Sequence, residues 1–212
     1  EDRTVSYTED QLVGQPAIPL FAELGWKTVP AMEKVFGPTG TLGRETKSEV
    51  VLVTRLRAAL ERRNPMLLAE ATISAIDELA RDRSAMSLAA ANEEIWHLLR
   101  DSGRVLVPDA ERGGQKTERV RVVDRDNPRA NDFLLVSQMT VTGDLYTCRP
   151  DLIGFVNGIP LLVIELKKPG GSRVRSWNAT FLLRSKIAPF KFPRSLLGNC
   201  RCQLSGSLSG SG

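Results

Sequence analysis

Apolar and polar positions change their period twice along this chain. Ser6-Tyr7-Thr8-Glu9 has the form of a capping box and predicts a helix running toward Leu24, with a break or kink between Gly14 and Pro19, since Pro16 and Pro19 fall inside it. Residues 26–29 read as a short strand and residues 30–46 as a loop. Three helical periods follow. The first is capped by Ser48 and reaches Arg62, with Val53, Leu56 and Leu60 on one face. The second starts at Pro65 and reaches about Arg81 through Leu68, Ile73, Ile76 and Leu79. The third is capped by Ser84, carries Leu88, Ile95, Leu98 and Leu99, and ends before Gly103. From Arg104 the pattern alternates, predicting strands over residues 104–107, 117–123 and 133–141, separated by turns at Gly113-Gly114 and at residues 124–131. Last come two apolar, β-branched-rich runs, Leu152–Val156 and Ile159–Ile164, joined by Asn157-Gly158, a strong short-range hairpin signal. This order predicts an α/β fold in which helices flank a mixed β-sheet.

Composition bounds the picture without changing it. A length of 212 residues with 42% hydrophobic residues suits one domain with a sizeable core. Three cysteines, Cys148, Cys200 and Cys202, make neither a disulfide framework nor a paired zinc motif and fit a reducing cytoplasm. No apolar run is long enough to span a bilayer, and the acidic start (Glu1, Asp2, Glu9, Asp10) is not a signal peptide, so a soluble cytoplasmic protein is expected.

Charge divides the chain. Residues 170–212 contain no Asp or Glu but seven Lys or Arg, so removing them from the formal +4 leaves residues 1–169 at −3. That tail, with Trp177, Phe181, Phe190 and Phe192 in no clear period, ends on a Ser-Gly repeat. The expectation is a body of residues 1–169 and a truncated or out-of-frame basic tail over 170–212, with a genuine basic DNA-binding arm as the rival.

The chemistry concentrates at the far ends of the hairpin. Asp151 precedes one strand, and Glu165 and Lys167 follow the other, two residues apart and therefore on one face. Two carboxylates can hold a hard divalent cation such as Mg²⁺, which keeps several waters and so needs few protein ligands. Such an ion polarises a phosphoryl oxygen and acidifies a bound water, and Lys167 supplies a positive charge for the developing anion. A surface Glu–Lys ion pair at a strand end is the plainer alternative.

Register imposes a condition on the metal reading. A regular two-residue loop pairs Val156 with Ile159 and sets Asp151 against Ile164, which puts Asp151 and Glu165 on opposite faces. Two carboxylates that share an ion must lie on one face. The hairpin must therefore contain an odd loop or a bulge, and Pro160, which lacks an N–H for the ladder, favours an irregularity.

Two other features drop out. The glycine-rich stretch from Gly37 to Arg44 has the wrong spacing for a phosphate-binding loop, and Arg44 stands where lysine is required. ATP hydrolysis is thus not available to this polypeptide. His97, the chain's one histidine, has no second ligand-type residue near it in sequence and reads as structural.

The wording RPD followed by GFVNGIPLLVIELKKP resembles the N-terminal nuclease domain of the restriction (R) subunit of type I restriction-modification enzymes, which has the PD-(D/E)xK, restriction-endonuclease-like fold. Gly25-Trp26, Leu42-Gly43-Arg44, Arg63-Asn64-Pro65, Asn131-Asp132-Phe133 and Gln138 stand in the same order as similar wording in that family. The resemblance implies Asp151 and Glu165 as metal-binding acids, Lys167 as the catalytic lysine, the Leu166 carbonyl as a further ligand, and an acid of the first helix, for which Glu9 is the candidate. A helix-capping role for Glu9 is equally open.

Arg149 and Lys168 flank the acids and could meet phosphates. Asn131-Asp132 could add polar groups near the site, or form a turn. The resemblance further implies a type I site-specific deoxyribonuclease that cuts duplex DNA with Mg²⁺. Its partners would be specificity and modification subunits, with ATP used only by a motor domain absent from this chain. After Pro169 the wording stops resembling the family: a helix with a Gln and then a Tyr is expected there, but no Tyr follows Tyr146. A non-cleaving remnant that binds DNA or partner subunits, and a PD-(D/E)xK nuclease of DNA repair, remain the alternatives.

Overall fold

The structure, a computed structural model, describes residues 15–30, 35–83, 85–108, 113–143 and 147–164. Its centre is a four-stranded mixed sheet. Strand β1 (Lys27–Pro30) runs parallel to β4 (Phe133–Ser137), which pairs antiparallel with β7 (Leu152–Val156), and β7 with β8 (Ile159–Ile164). Each strand alternates between two buried faces. Leu134, Val136, Ile153, Phe155 and Val163 face one side, where Leu42, Val50, Leu52, Met139, Val141 and Cys148 cover them. Leu135, Leu152 and Ile164 face the other, covered by helix α1 (Gln15–Glu23) through Ala17, Ile18 and Phe21, and by Trp26. Burial on both faces explains why β7 is apolar at every position. Trp26 lies over Gly154, where an added Cβ would come within 3.0 Å of its ring, so that glycine is a packing requirement.

Three helices form a second layer: α2 (Val53–Arg63), α3 (Ala69–Ala80) and α4 (Leu88–Arg100). They bury Leu56, Leu60, Ala71, Ala75, Ile76, Leu79 and Ile95 together with Val105 and Val120 of a separate antiparallel ribbon, β2 (Gly103–Pro108) and β3 (Gln115–Val120). The α/β class and the mixed sheet flanked by helices are as the sequence predicts. The ribbon, however, is not a continuation of the main sheet. A short pair, β5 (Val141–Thr142) with β6 (Thr147–Cys148), leads into β7.

Element boundaries depart from expectation for local reasons. Helix α2 starts at Val53 instead of following a Ser48 cap, because Val50, Val51 and Leu52 are all buried as an irregular run against the core. Helix α3 starts at Ala69, four residues after Pro65. The Asn64 side chain is engaged instead with the Arg121 backbone, accepting from its N–H at 2.9 Å and donating to its carbonyl at 3.0 Å. The α4 cap is Ser87, whose hydroxyl accepts from Ala90 N–H; Ser84 lies outside the described residues. The strand expected over residues 133–141 breaks after Ser137, since Gln138 adopts a left-handed φ of 59°. Pro19 sits inside α1, while the capping box at Ser6–Glu9 lies outside the described residues.

Candidate functional site

The hairpin fulfils the register condition. Asn157 (φ 52°) and Gly158 (φ 80°) form a two-residue turn with both residues left-handed, and Val156 pairs with Ile159 and Phe155 with Pro160. A bulge then intervenes. Gly154 pairs with Leu162, Ile153 with Val163 and Leu152 with Ile164, leaving Leu161 as the extra residue beside Pro160. The sum of paired residue numbers rises by one across the bulge and becomes even, as the carboxylate argument demands. That register holds to the last described pair.

Asp151 stands one residue before β7 and is half-buried. Gln138, at the left-handed break after β4, holds it twice: the Gln138 N–H donates to the Asp151 carbonyl at 2.9 Å, and Gln138 Nε2 donates to Asp151 Oδ1 at 3.3 Å. Pro150 before it is buried and Arg149 is exposed. Glu165, Leu166, Lys167, Lys168 and Glu9 lie outside the described residues, and among the described residues no three His, Cys, Asp or Glu side chains converge to hold a cation. Gln138 entered the sequence reading only as shared wording. A polar residue after an apolar strand gives no sign, in one dimension, that it meets an acid thirteen residues later.

Asn131 and Asp132 belong to the opposite end of the sheet. Phe133 pairs with Val156 while Ser137 pairs with Leu152, so Asp132 lies at the hairpin tip, six residues, or roughly 20 Å of strand, from Asp151. There they form the turn network that was the second possibility. Asn131 Nδ2 donates to the carbonyls of Asp124 and Pro128, and Asn131 Oδ1 accepts from Asp124 N–H and from Asn157 Nδ2. Asn157 is fully buried; its Nδ2 also donates to the Val122 carbonyl, and its Oδ1 accepts from Asp132 N–H.

Asp132 pairs with Arg55 at 2.6 Å and with Lys27 at 3.2 Å. Burial alone would raise its pKa, but hydrogen bonding and charge from Arg55, then Lys27, hold the carboxyl below its usual value. A folded-state pKa depressed in this way contributes stability that is present above the unfolded value and lost as pH falls through the folded one. The wild-type chain should therefore lose more stability than Asp132→Asn when pH is taken from neutral to below about 3.9. Urea midpoints of both proteins along that range check it; parallel acid limbs would show that the pair carries no net stabilisation.

The phosphate-loop look-alike is a structural clamp. Arg44 is buried and donates to the carbonyls of Glu49 at 2.9 Å and Thr140 at 3.0 Å, tying the loop to the segment after β4. Its guanidinium also lies 5.8 Å from the Phe36 ring centroid. His97 is half-exposed on α4 beside Asp101 and Arg100, a surface arrangement that matches its structural reading.

Comparison with known proteins shows the family. A family model described as type I restriction enzyme R protein N terminus matches residues 6–181. The type I restriction enzyme HindI endonuclease subunit of Haemophilus influenzae is 37% identical over 152 residues, 69% of this chain and 14% of that protein. The putative type I restriction enzyme MjaIXP endonuclease subunit of Methanocaldococcus jannaschii is 29% identical over 132 residues, 59% of this chain and 12% of that protein. The chain thus spans about one seventh of these relatives' length or less.

Proposed function

Because the chain belongs to the family of type I restriction enzyme R protein N termini, we propose that it is an endonuclease domain cutting duplex DNA by Mg²⁺-dependent phosphodiester hydrolysis. The observation that carries the reading is the bulge at Leu161: it gives the hairpin an even register as far as the Leu152–Ile164 pair, the parity that two carboxylates on one face at positions 151 and 165 require. With an unbroken hairpin the two carboxylates could not serve one ion.

In this proposal Asp151 and Glu165 hold the ion, with the Leu166 carbonyl completing the protein's share. That all-oxygen donor set suits a hard cation. Glu9 is a further candidate ligand. When bound, Mg²⁺ supplies a polarised phosphoryl oxygen and a more acidic water. Lys167 holds its ammonium beside the scissile phosphate and stabilises the charge that develops there. Gln138 orients the Asp151 carboxylate through Oδ1, while Arg149 and Lys168 meet neighbouring phosphates without reading sequence. Site choice then falls to specificity and modification subunits, and DNA delivery to an ATP-driven motor, in a larger cytoplasmic restriction complex.

The test is a supercoiled-plasmid nicking assay on the 212-residue chain with Mg²⁺ or with EDTA. Nicking that appears only with the metal is expected. A folded chain that binds duplex but never nicks it would make this a non-cleaving domain.

A further inference from the structure

The β2–β3 ribbon carries a charge arrangement that the proposed site does not use. Val105 and Val120 turn inward against α3 and α4, which leaves Arg104, Leu106, Thr117 and Arg119 exposed on the outer face. Arg104 and Arg119 are direct cross-strand partners. Residues so paired project from one face with Cβ atoms about 5 Å apart, where like charges oppose each other and weaken the ribbon. Arg121, also exposed, follows two positions on, with its backbone pinned by Asn64.

Among the described residues no acid pairs with this cluster. The one carboxylate on the two strands themselves, Glu118, pairs with Lys116 at 2.9 Å. Some arginines elsewhere are matched, Arg55 to Asp132, Arg63 to Asp124 and Arg83 to Glu78 and Glu94, whereas others such as Arg57 stand singly among the described residues; what sets Arg104 and Arg119 apart is that they face each other across a ladder. Among the described residues no ion pair is made by Arg104, Arg119 or Arg121. A repulsive pair kept on a rigidly seated ribbon points to an external anion that relieves it, and three guanidinium groups along one face, with the Thr117 hydroxyl among them, complement a line of phosphates.

We propose that the outer face of the β2–β3 ribbon grips the sugar-phosphate backbone of duplex DNA, through Arg104, Arg119 and Arg121, at a position distinct from the cutting residues. This rests on the reading of the chain as a DNA-cutting domain. It assigns to the ribbon a sequence-independent hold on the duplex, since phosphate contacts position a protein without reading bases.

The test is fluorescence-anisotropy binding of the 212-residue chain to a short labelled duplex in EDTA, over a salt series, so that cleavage plays no part. Arg104→Gln/Arg119→Gln should weaken binding at low salt by at least about tenfold and flatten the slope of log K against log salt by about 2, at nearly one ion released per phosphate contact. Its thermal midpoint should be unchanged or higher, because a repulsive pair is gone. Lys47→Gln/Arg57→Gln, which removes the same charge from exposed positions elsewhere, should leave the slope near wild type.

An unchanged slope in the ribbon variant would overturn the proposal and leave an acidic protein surface as the cluster's partner. An equal loss in the control variant, or a wild-type chain that does not bind the duplex, would overturn it as well. Failure of the nuclease reading looks different: no nicking with Mg²⁺, yet binding that still depends on Arg104 and Arg119.

Discussion

Replacing Asp151 with asparagine should reduce Mg²⁺-dependent nicking by about a thousandfold or more while leaving the urea midpoint almost unmoved, because removing a charge that serves a metal costs the reaction several kcal/mol. Asparagine keeps an Oδ1 able to accept the hydrogen bond from Gln138 Nε2, and the Gln138 N–H bond to the residue-151 carbonyl does not involve the side chain. The local fold is thus preserved and only the charge changes. Asp151→Ala removes the Gln138 contact too and separates the two effects: if charge dominates, both variants are equally inactive. Gln138→Ala, which removes this contact without discharging the carboxylate, should retain more activity than either. Wild-type nicking by Asp151→Asn would sink the assignment of Asp151, and the proposed ion site with it.

The hairpin was legible from one dipeptide. Asn157-Gly158 between two apolar runs specifies a left-handed turn, and the ladder begins at Val156–Ile159 as that turn requires. The bulge was legible only by combining two facts, that Pro160 cannot donate to the ladder and that two carboxylates cannot share an ion across a sheet. Neither fact alone names Leu161 as the extra residue.

Other features could not be read from the chain. A fully buried asparagine at a hairpin tip reverses the usual reading of Asn-Gly as a solvated turn. It is possible because the tip meets Val122, Asn131 and Asp132, which come from another part of the chain. The separation of the ribbon from the main sheet was hidden for a similar reason. Alternation reports that a strand has two unlike faces, not which sheet it joins. The start of α2 was misread because Val50–Leu52 is apolar enough to pass for the first turn of a helix, while its burial is satisfied by the sheet. Glu165 and Lys167 were proposed from their place at the end of the hairpin and Glu9 from the resemblance, and the described residues supply only the register that leads toward position 165.

Adding a single methyl group at Gly158 should have the largest effect on stability, about 3–5 kcal/mol, the sum of a left-handed alanine and a backbone collision. The glycine has φ 80°, and a Cβ there would come within 2.6 Å of the Leu52 carbonyl oxygen and 2.7 Å of the Leu56 nitrogen, backbone atoms that cannot rotate away. Relief would require lifting the tip off the start of α2. That would break the bond from Leu52 N–H to the Gly158 carbonyl, 2.8 Å, and loosen the buried Asn157 from its partners. The Leu52–Gly158 bond, like the Arg55–Asp132 ion pair, joins the main sheet to the helical layer at this end. Urea denaturation of Gly158→Ala measures the loss, and a change under about 1 kcal/mol would show that the tip yields easily. Asp151 lies at the opposite end of β7, so the variant, assayed where it is still folded, should nick DNA at close to the wild-type rate. Destabilisation with activity retained would separate the tip, as an anchor for the fold, from the far end of the hairpin, where the proposed chemistry lies.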